Sequence, residues 1–261
     1  MFSKIKQGKR FAKIAGEVAQ YVGSSLDVGK KDSDIWLLRK KRARLIQKYS
    51  ARVLQEMKVE VEVIDPQGYL LKDNALLVCN HMSYLDILVL SSIYPSCYVT
   101  SLEMKKTPVL GQLCDLGGCV YVDRKNKRNL PKEISEITQA LSRGLNVCFF
   151  PEATSHNGEE LLRFRRPLFN AARYAHKKIL PVCLNYVEIN GAKFNLNNRD
   201  TVCWYGDMTF LPHMWGLCGT EKVKVSVRFL DPLDKPQDFN SRDLAEKTKA
   251  VVEEHFTPAS L

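Results

Sequence analysis

The chain has 261 residues, long enough to bury a full hydrophobic core, so one α/β domain with an appendage is favoured over two equal domains. Its 39 lysines and arginines outnumber its 29 acidic residues, which gives a net charge of +10. Residues 1–58 hold 15 basic and 5 acidic side chains, whereas the remainder holds 24 of each. The excess positive charge therefore belongs to one end of the chain and indicates a docking surface rather than a generally basic protein.

Hydropathy and cysteine spacing exclude several classes of protein. No segment reaches the roughly 18 apolar residues of a membrane-spanning helix, and the first ten residues lack the apolar core of a signal peptide. The eight cysteines are scattered, with no C-x-x-C pair and no zinc-ligand spacing. We therefore expect a protein of a reducing, cytoplasmic environment that neither spans a bilayer nor is secreted.

The basic N-terminal segment, residues 1–58, has the pattern of two amphipathic helices. We predict a first helix over 3–22, a glycine and serine break at 23–25, and a second helix over 34–57. In the second helix, cations flank an apolar stripe of Leu38, Leu45, Tyr49 and Val53. Such a stripe suits a helix lying on an anionic membrane, and the alternative is that it packs on the protein's own domain. Nucleic acid is a poor partner, because few aromatic residues interleave the basic run.

From residue 59 to 261 the pattern predicts one α/β domain. Alternating or continuous apolar runs predict strands at 59–65, 75–79, 97–100, 119–122, 146–150, 179–184 and 223–229. Helical stretches lie between several of them, as at 84–90 and 130–143, and a last helix is predicted over 242–256 with Ser241 as its N-cap. Strands that alternate with helices indicate a mixed, partly parallel sheet flanked by helices.

A histidine and an aspartate at the end of one buried strand are the candidate catalytic pair. The apolar run 75–79 ends on Asn80, His81 and Ser83, and Asp86 follows in the first turn of a helix. At that distance Asp86 can accept the Nδ1 proton of His81 and leave Nε2 free as a base. The spacing alone is a weak signal, because a lone histidine at a strand end is more often structural.

Two further stretches place polar groups after apolar strands. A glycine-containing stretch leads into a strand that ends at Arg124, whose guanidinium suits a phosphate or a carboxylate, although a surface ion pair with Asp123 is an equal alternative. Another strand ends on Phe150-Pro151-Glu152, followed by hydroxyl residues and the pair Arg165-Arg166. Glu152 could accept hydrogen bonds from a substrate hydroxyl or hold an arginine.

Taken in order, these blocks resemble those of the glycerolipid and lysophospholipid acyltransferase family, over roughly residues 63–231. The family pattern N-H-x-x-x-x-D matches Asn80 to Asp86, its second block ends on an arginine here at Arg124, and its third, F-P-E-G-T-R-S, reads F-P-E-A-T-S at 150–155. Its apolar V-P-V is Leu180-Pro181-Val182. Ala153 replaces the glycine and Ser155 the arginine of the third block, so Arg165 and Arg166 are expected to supply the missing phosphate contact.

The resemblance implies an O-acyltransferase that acts without a metal or redox cofactor. His81, oriented by Asp86, is then the general base that activates the free hydroxyl of a lysophospholipid such as 1-acylglycerol-3-phosphate. That hydroxyl attacks the thioester of acyl-CoA or an acyl carrier protein directly. The implied substrate-binding residues are Asn80, Ser83, Arg124, Glu152, Thr154, Arg165 and Arg166. The implied setting is a peripheral membrane protein on the cytoplasmic face.

Two other functions remain open from the sequence. Ser83 or Cys79 could be a nucleophile with His81 as its base, which would give a lipid hydrolase or a ping-pong enzyme, although no G-x-S-x-G elbow is present. The chain could also be a non-catalytic lipid-binding module that keeps the fold.

Overall fold

The computed structural model describes residues 4–69 and 73–261. Its helices, in chain order, are α1 (Lys4–Lys31), α2 (Ile35–Met57), α3 (Tyr84–Ile93), α4 (Leu110–Gly117), α5 (Leu130–Ser142), α6 (Asn170–Ala175), α7 (Phe210–Leu217) and α8 (Ser241–Glu253). Its strands are β1 (Val59–Ile64), β2 (Leu76–Cys79), β3 (Cys97–Ser101), β4 (Val120–Val122), β5 (Val147–Phe149), β6 (Ile179–Ile189), β7 (Ala192–Lys193) and β8 (Val223–Phe229). Strands alternate with helices over most of the chain, as the pattern predicts.

The strands form one mixed sheet in the order β1-β8-β6-β2-β5-β3-β4, with β7 paired to β6. The β1–β8, β6–β2, β2–β5, β5–β3 and β3–β4 pairs are parallel, and β8 and β7 run antiparallel to β6. The predicted mixed, partly parallel sheet is therefore confirmed. Since β2, β5, β3 and β4 are parallel, their carboxyl ends lie at one edge of the sheet, where residues 80–86, 124 and 150–155 follow.

Alternate residues of the central strand β2 enter two different hydrophobic clusters. Leu77 and Cys79 belong to a cluster that includes residues of α2, α3 and α7, whereas Leu76 and Val78 belong to one that includes residues of α5, α6 and α8. All four β2 residues are buried, as expected for a parallel strand covered on both faces. The rigid centre of the sheet thus carries the residues that follow β2.

The N-terminal helical pair is present, but the predicted break at 23–25 is wrong. Helix α1 continues through these residues to Lys31, because Ser25 is buried there and donates a hydrogen bond to the Leu116 carbonyl at 2.8 Å. The predicted start at residue 3 lies outside the described residues. Helix α2 ends at Met57 as predicted, and Asp34 caps it by accepting from the amides of Trp36 and Leu37.

The apolar side of α2 packs on the protein's own domain. Val53, Leu54 and Met57 lie in the cluster that also covers β2, and Ile14 of α1 joins them. Tyr49 is buried as well, whereas Leu38 and Leu45 are half-buried. Residues 4–58 therefore share their core with the sheet, and any membrane contact must use another face of the pair. Among the described residues, no helix combines the length and the hydropathy needed to cross a bilayer.

Four further elements differ from the sequence prediction. Helices α4 and α7 lie where no helix was predicted, and β6 runs five residues beyond its predicted end at 184. In α4, Gly111 is required by packing, because a Cβ there would lie 2.2 Å from the Lys105 carbonyl oxygen. The cap of α8 is Asn240 rather than Ser241, and the helix ends at Glu253.

Candidate active site

Asp86 holds the imidazole of His81 in one orientation. Nδ1 of His81 lies 2.9 Å from Oδ2 of Asp86, which also accepts from the amides of Met82 and Ser83 at 2.7 and 2.8 Å. Because a carboxylate only accepts hydrogen bonds, we assign the ring proton to Nδ1 and the lone pair to Nε2. The pair is built locally, since Ser83 caps α3 and Asp86 completes the capping box.

Nε2 of His81 faces away from this network. Within residues 4–69 and 73–261, no protein group hydrogen-bonds to Nε2, and the side chain is 17% exposed. The ring stacks on Phe150, with centroids 3.9 Å apart and planes 14° from parallel. Phe150 in turn lines a groove of about 720 Å³ at the carboxyl ends of β3, β4 and β5. His81 itself does not line that groove but lies beside it, behind the ring of Phe150.

The segment after β5 fixes the backbone of His81. Oε1 of Glu152 accepts the amide of His81 at 2.7 Å, and the amide of His156 donates to the His81 carbonyl at 3.1 Å. Oε2 of Glu152 accepts the amide of Leu162 at 2.7 Å and lies 3.1 Å from Nε2 of His156. Both carboxylate oxygens of the buried Glu152 are thus engaged within the protein, which makes it a positioning residue for His81 in this arrangement.

Asn80 and Ser83, which we predicted to contact substrate, are fully buried. The side-chain amide of Asn80 exchanges two hydrogen bonds of 2.8 Å with the backbone of Leu184, so it ties the end of β2 to β6. The hydroxyl of Ser83 accepts the amide of Leu85 at 3.3 Å. Their contacts therefore support the turn that carries His81, and direct contact with a substrate stays a prediction.

The other predicted substrate-binding residues come together at the groove. Arg124, Thr154, Arg165 and Arg166 line it and are exposed. Lys127, Arg163, Arg242 and Lys249 line it as well. In the described part of the chain, no carboxylate lies within 4.0 Å of Arg124, Arg165 or Arg166. Of the cations that line the groove, Lys249 pairs with Glu253 at 2.8 Å, whereas the charges of Arg124, Arg165 and Arg166 are not balanced by direct ion pairs within the described residues.

The alternative ion pair between Arg124 and Asp123 does not form. Oδ1 of Asp123 instead accepts the amides of Lys125 and Asn126 at 3.0 and 3.1 Å. Although Arg124 is exposed, the walls of the groove partly desolvate its guanidinium, which lowers its pKa; the charge of Glu103 opposes this shift, and the positive charge of Arg165 adds to it. Both arginines line the groove, so their like charges add to its positive potential.

The buried nucleophile alternatives find no support in the geometry. Cys79 is buried, and this burial raises the pKa of its thiol well above the ordinary value, so the reactive thiolate is disfavoured. Ser83 is buried as the N-cap of α3 and has no hydrogen bond to His81 among the described contacts. Among the described residues, no three histidine, cysteine or acidic side chains converge as metal ligands.

Sequence reasoning missed Tyr186, Phe150 and His156 as parts of the site. Tyr186 lies 100 residues from Asp86 in sequence, yet its hydroxyl donates to Oδ1 of Asp86 at 2.6 Å. Its apolar strand pattern gave no signal, because the contact depends on the register of β6 beside β2. Phe150 and His156 are close to Glu152 in the sequence, so the third block already placed them near the site. Their contacts with His81 could not be predicted from the sequence.

The alanine at position 153 adopts a backbone conformation that favours glycine. Its φ is +62°, in the left-handed region, and the related family pattern has glycine at this position. We expect Ala153→Gly to raise the free energy of unfolding by about 0.5–1 kcal/mol, as measured by urea denaturation. Ala171→Gly, in helix α6, is the control and should lower it. A loss of stability in Ala153→Gly would contradict the strain assigned here.

Stability should depend on the protonation of His213, which lies beside the active-site helix. Its Nδ1 lies 2.9 Å from the Tyr84 hydroxyl and its Nε2 lies 3.0 Å from the Cys203 carbonyl. Burial lowers the pKa of His213 below its ordinary value of 6.5, although the Cys203 hydrogen bond opposes this. As the pH falls below about 6.5, His213 therefore takes up a proton more readily in the unfolded chain than in the folded chain. The free energy of unfolding falls with pH over this range.

We expect the urea midpoint to fall between about pH 7.5 and about pH 5.5, and to fall less in His213→Gln than in the unsubstituted protein. His255→Gln, at an exposed histidine, controls for titration elsewhere. Equal pH dependence in the His213 variant and the unsubstituted protein would contradict the assignment.

Comparison with known proteins identifies the family of the chain. The Acyltransferase family model matches residues 35–185, more than half of the chain. A 1-acyl-sn-glycerol-3-phosphate acyltransferase of Neisseria gonorrhoeae is 31% identical over 180 residues, covering 69% of this chain and 68% of that protein. A lyso-ornithine lipid O-acyltransferase of Pseudomonas aeruginosa is 28% identical over 254 residues, covering 93% and 90%.

A solved structure supports the fold independently. The crystal structure of the 1-acyl-sn-glycerophosphate acyltransferase PlsC from Thermotoga maritima covers 97% of this chain and 93% of its own, with a TM-score of 0.69. At 18% identity this likeness concerns the fold alone. Given the family match and the relatives of similar length, the chain belongs to the Acyltransferase family of enzymes.

Proposed function

We propose that this enzyme transfers a fatty acyl group from a thioester, acyl-CoA or an acylated carrier protein, to the free hydroxyl of a lysophospholipid. The observation that carries the proposal is the His81–Asp86 pair, whose Nε2 has no protein partner among the described residues, beside a groove lined by cations.

In the proposed mechanism His81 acts as a general base. Nε2 of His81 takes the proton from the acceptor hydroxyl, and the oxygen attacks the thioester carbonyl without an acyl-enzyme. The carbon–sulfur bond of the tetrahedral intermediate then breaks, and the leaving thiolate takes the proton from Nε2. Asp86 stabilises the positive imidazole between these steps, and general-base catalysis of this kind contributes roughly 10²- to 10⁴-fold in rate.

A phosphate headgroup fits the groove better than an ammonium headgroup. Four carboxylates line the groove, and three of them, Asp123, Glu133 and Glu152, accept backbone amides. Only Glu246 of that lining is exposed to receive an external cation. An ornithine headgroup carries a carboxylate, which the arginines could bind, but also an ammonium, for which the lining offers only Glu246; a phosphate needs only the cations Arg124, Arg165 and Arg166. We therefore favour 1-acylglycerol-3-phosphate over a lyso-ornithine lipid as the acceptor.

Purified protein with an acyl thioester and a panel of lyso-acceptors tests this function. We expect thiol release that depends on the acceptor, is faster with 1-acylglycerol-3-phosphate than with a lyso-ornithine lipid, and falls at least about 100-fold in His81→Ala. His255→Ala is the matched control at an exposed histidine. Acceptor-independent hydrolysis, or radiolabelled acyl group trapped on denatured protein, would favour a nucleophile mechanism. Absence of turnover together with lipid binding would favour a binding module.

We also propose peripheral attachment to the cytoplasmic face of an anionic membrane, through the outward face of α1 and through α7. Positions 5, 12, 16, 19, 23 and 26 of α1 recur at three-, four- or seven-residue intervals, are exposed and carry no charge. Ile5 and Leu26 at its ends are 71% and 50% exposed. Lys6, Lys9 and Lys13 lie on one flank, as an interfacial helix requires.

Helix α7 connects this surface to the active site. Leu211 and Trp215 of α7 are 57% and 42% exposed, and the Trp215 ring lies 5.5 Å from the ring of Phe11 in α1. On its other side, Phe210 lies 5.0 Å from the ring of Tyr84, three residues after His81. A membrane bound to α1 and α7 would therefore lie next to the catalytic turn.

Sedimentation with anionic vesicles tests the attachment. Leu211→Gln combined with Trp215→Gln should reduce the bound fraction several-fold, and raising salt should weaken binding of the unsubstituted protein. Point variants are preferable to deletion of residues 1–58, because Val53, Leu54 and Met57 belong to the core. Tyr174→Gln, 61% exposed on α6, is the control. Binding that is unchanged by both the α7 substitutions and salt would contradict the proposal.

A further inference from the structure

One face of the last helix forms a wall of the groove. The lining residues of α8 are Arg242, Ala245, Glu246 and Lys249, at spacings that place them on a single helix face. The buried residues Leu244, Thr248 and Val252 anchor the helix in the core. None of the sequence blocks that resemble the acyltransferase family reaches α8, so this wall is an addition to the predicted site.

Arg242 is the cation of this wall that remains available to a ligand. Lys249 is neutralised locally, since its Nζ lies 2.8 Å from Oε1 of Glu253. Arg242 is exposed, and in the described part of the chain no carboxylate lies within 4.0 Å of it. The side chain of Asn240 already accepts the amides of Arg242 and Asp243 at 2.9 and 3.0 Å. These two backbone amides are therefore already bonded, and the guanidinium of Arg242 is the donor that a ligand would meet.

The fold places Arg242 in the same groove as Arg166. Helix α8 packs against residues 167–169, directly after Arg166, and both arginines line the groove. Apolar side chains of Phe164, Leu168 and Ala245 line it as well. A groove of about 720 Å³ accommodates far more than one phosphate group. There is thus room for an anion at the α8 wall in addition to one at Arg124 and Arg165.

We propose that Arg242, together with Arg166, forms a second anion subsite that binds a phosphate group of one of the two substrates. This inference rests on the proposed acyl transfer, because the phosphate is that of the acceptor headgroup or that of the carrier of the thioester donor. Arg242 thereby lowers the KM for that substrate. It takes no part in proton transfer, which His81 performs on the other side of Phe150.

Steady-state kinetics of Arg242→Ala distinguish the two sources of phosphate. We expect KM to rise roughly tenfold for one substrate, with kcat within about twofold of the unsubstituted enzyme. A higher KM for 1-acylglycerol-3-phosphate identifies the headgroup. A higher KM for acyl-CoA, but not for acyl-pantetheine, identifies the carrier phosphate. Arg242→Lys should restore part of the loss, because a positive charge remains.

Lys247→Ala is the matched control, since Lys247 is an exposed cation of the same helix that does not line the groove. If neither KM rises beyond the value of this control, the subsite is overturned while the proposed function stands. Calorimetric titration with coenzyme A and with glycerol 3-phosphate tests the subsite without turnover. If Arg242→Ala binds coenzyme A as tightly as the unsubstituted protein does, and also binds glycerol 3-phosphate as tightly, the subsite is overturned. This holds even if acyl transfer is absent.

Discussion

The buried carboxylate of Asp86 is the group on which the architecture of the site depends. It has no exposed surface, and its two oxygens receive the His81 ring, two backbone amides and the Tyr186 hydroxyl. A carboxylate removed from water is costly unless such donors surround it. The strand–turn–helix from β2 to α3 supplies the amides, and the first turn of α3 adds a favourable helix dipole. The same contacts orient the imidazole, so the stability of the turn and the orientation of His81 depend on one arrangement.

The parallel strands explain why distant segments meet at this group. β6 and β5 flank β2, so Tyr186 approaches Asp86 from one side while Glu152 and His156 hold the backbone of His81 from the other. The cations of the groove follow β4 and β5 and extend to α8. The His81–Asp86 pair thus sits on a rigid centre, whereas the cations of the groove lie around it on loops and on α8, where they can vary without disturbing the pair.

Local chemistry made part of the site predictable from the sequence. The spacing of His81 and Asp86 on a strand end and a helix start indicated their contact, and the alternation of strands and helices indicated the sheet. Contacts between distant segments were not predictable: Glu152 was predicted as a site residue, but its bond to the His81 amide, like that of Tyr186 to Asp86, depends on the register of β5 and β6 beside β2. The break at 23–25 was wrong because packing of Ser25 outweighed the helix-breaking tendency of glycine. The sequence showed that α2 has an apolar side. It did not show whether that side packs on the protein or on a membrane.

The central claim is that Asp86 holds the proton of His81 on Nδ1 and leaves Nε2 free, and the tautomer of His81 tests it most directly. Nitrogen-15 NMR of the ring at about pH 8, where a free imidazole is neutral, distinguishes a protonated from an unprotonated ring nitrogen. The account predicts a proton on Nδ1 and a lone pair on Nε2, and a change of this distribution in Asp86→Asn. A proton on Nε2 in the unsubstituted protein would contradict it, since His81 could then not accept the proton of the acceptor hydroxyl.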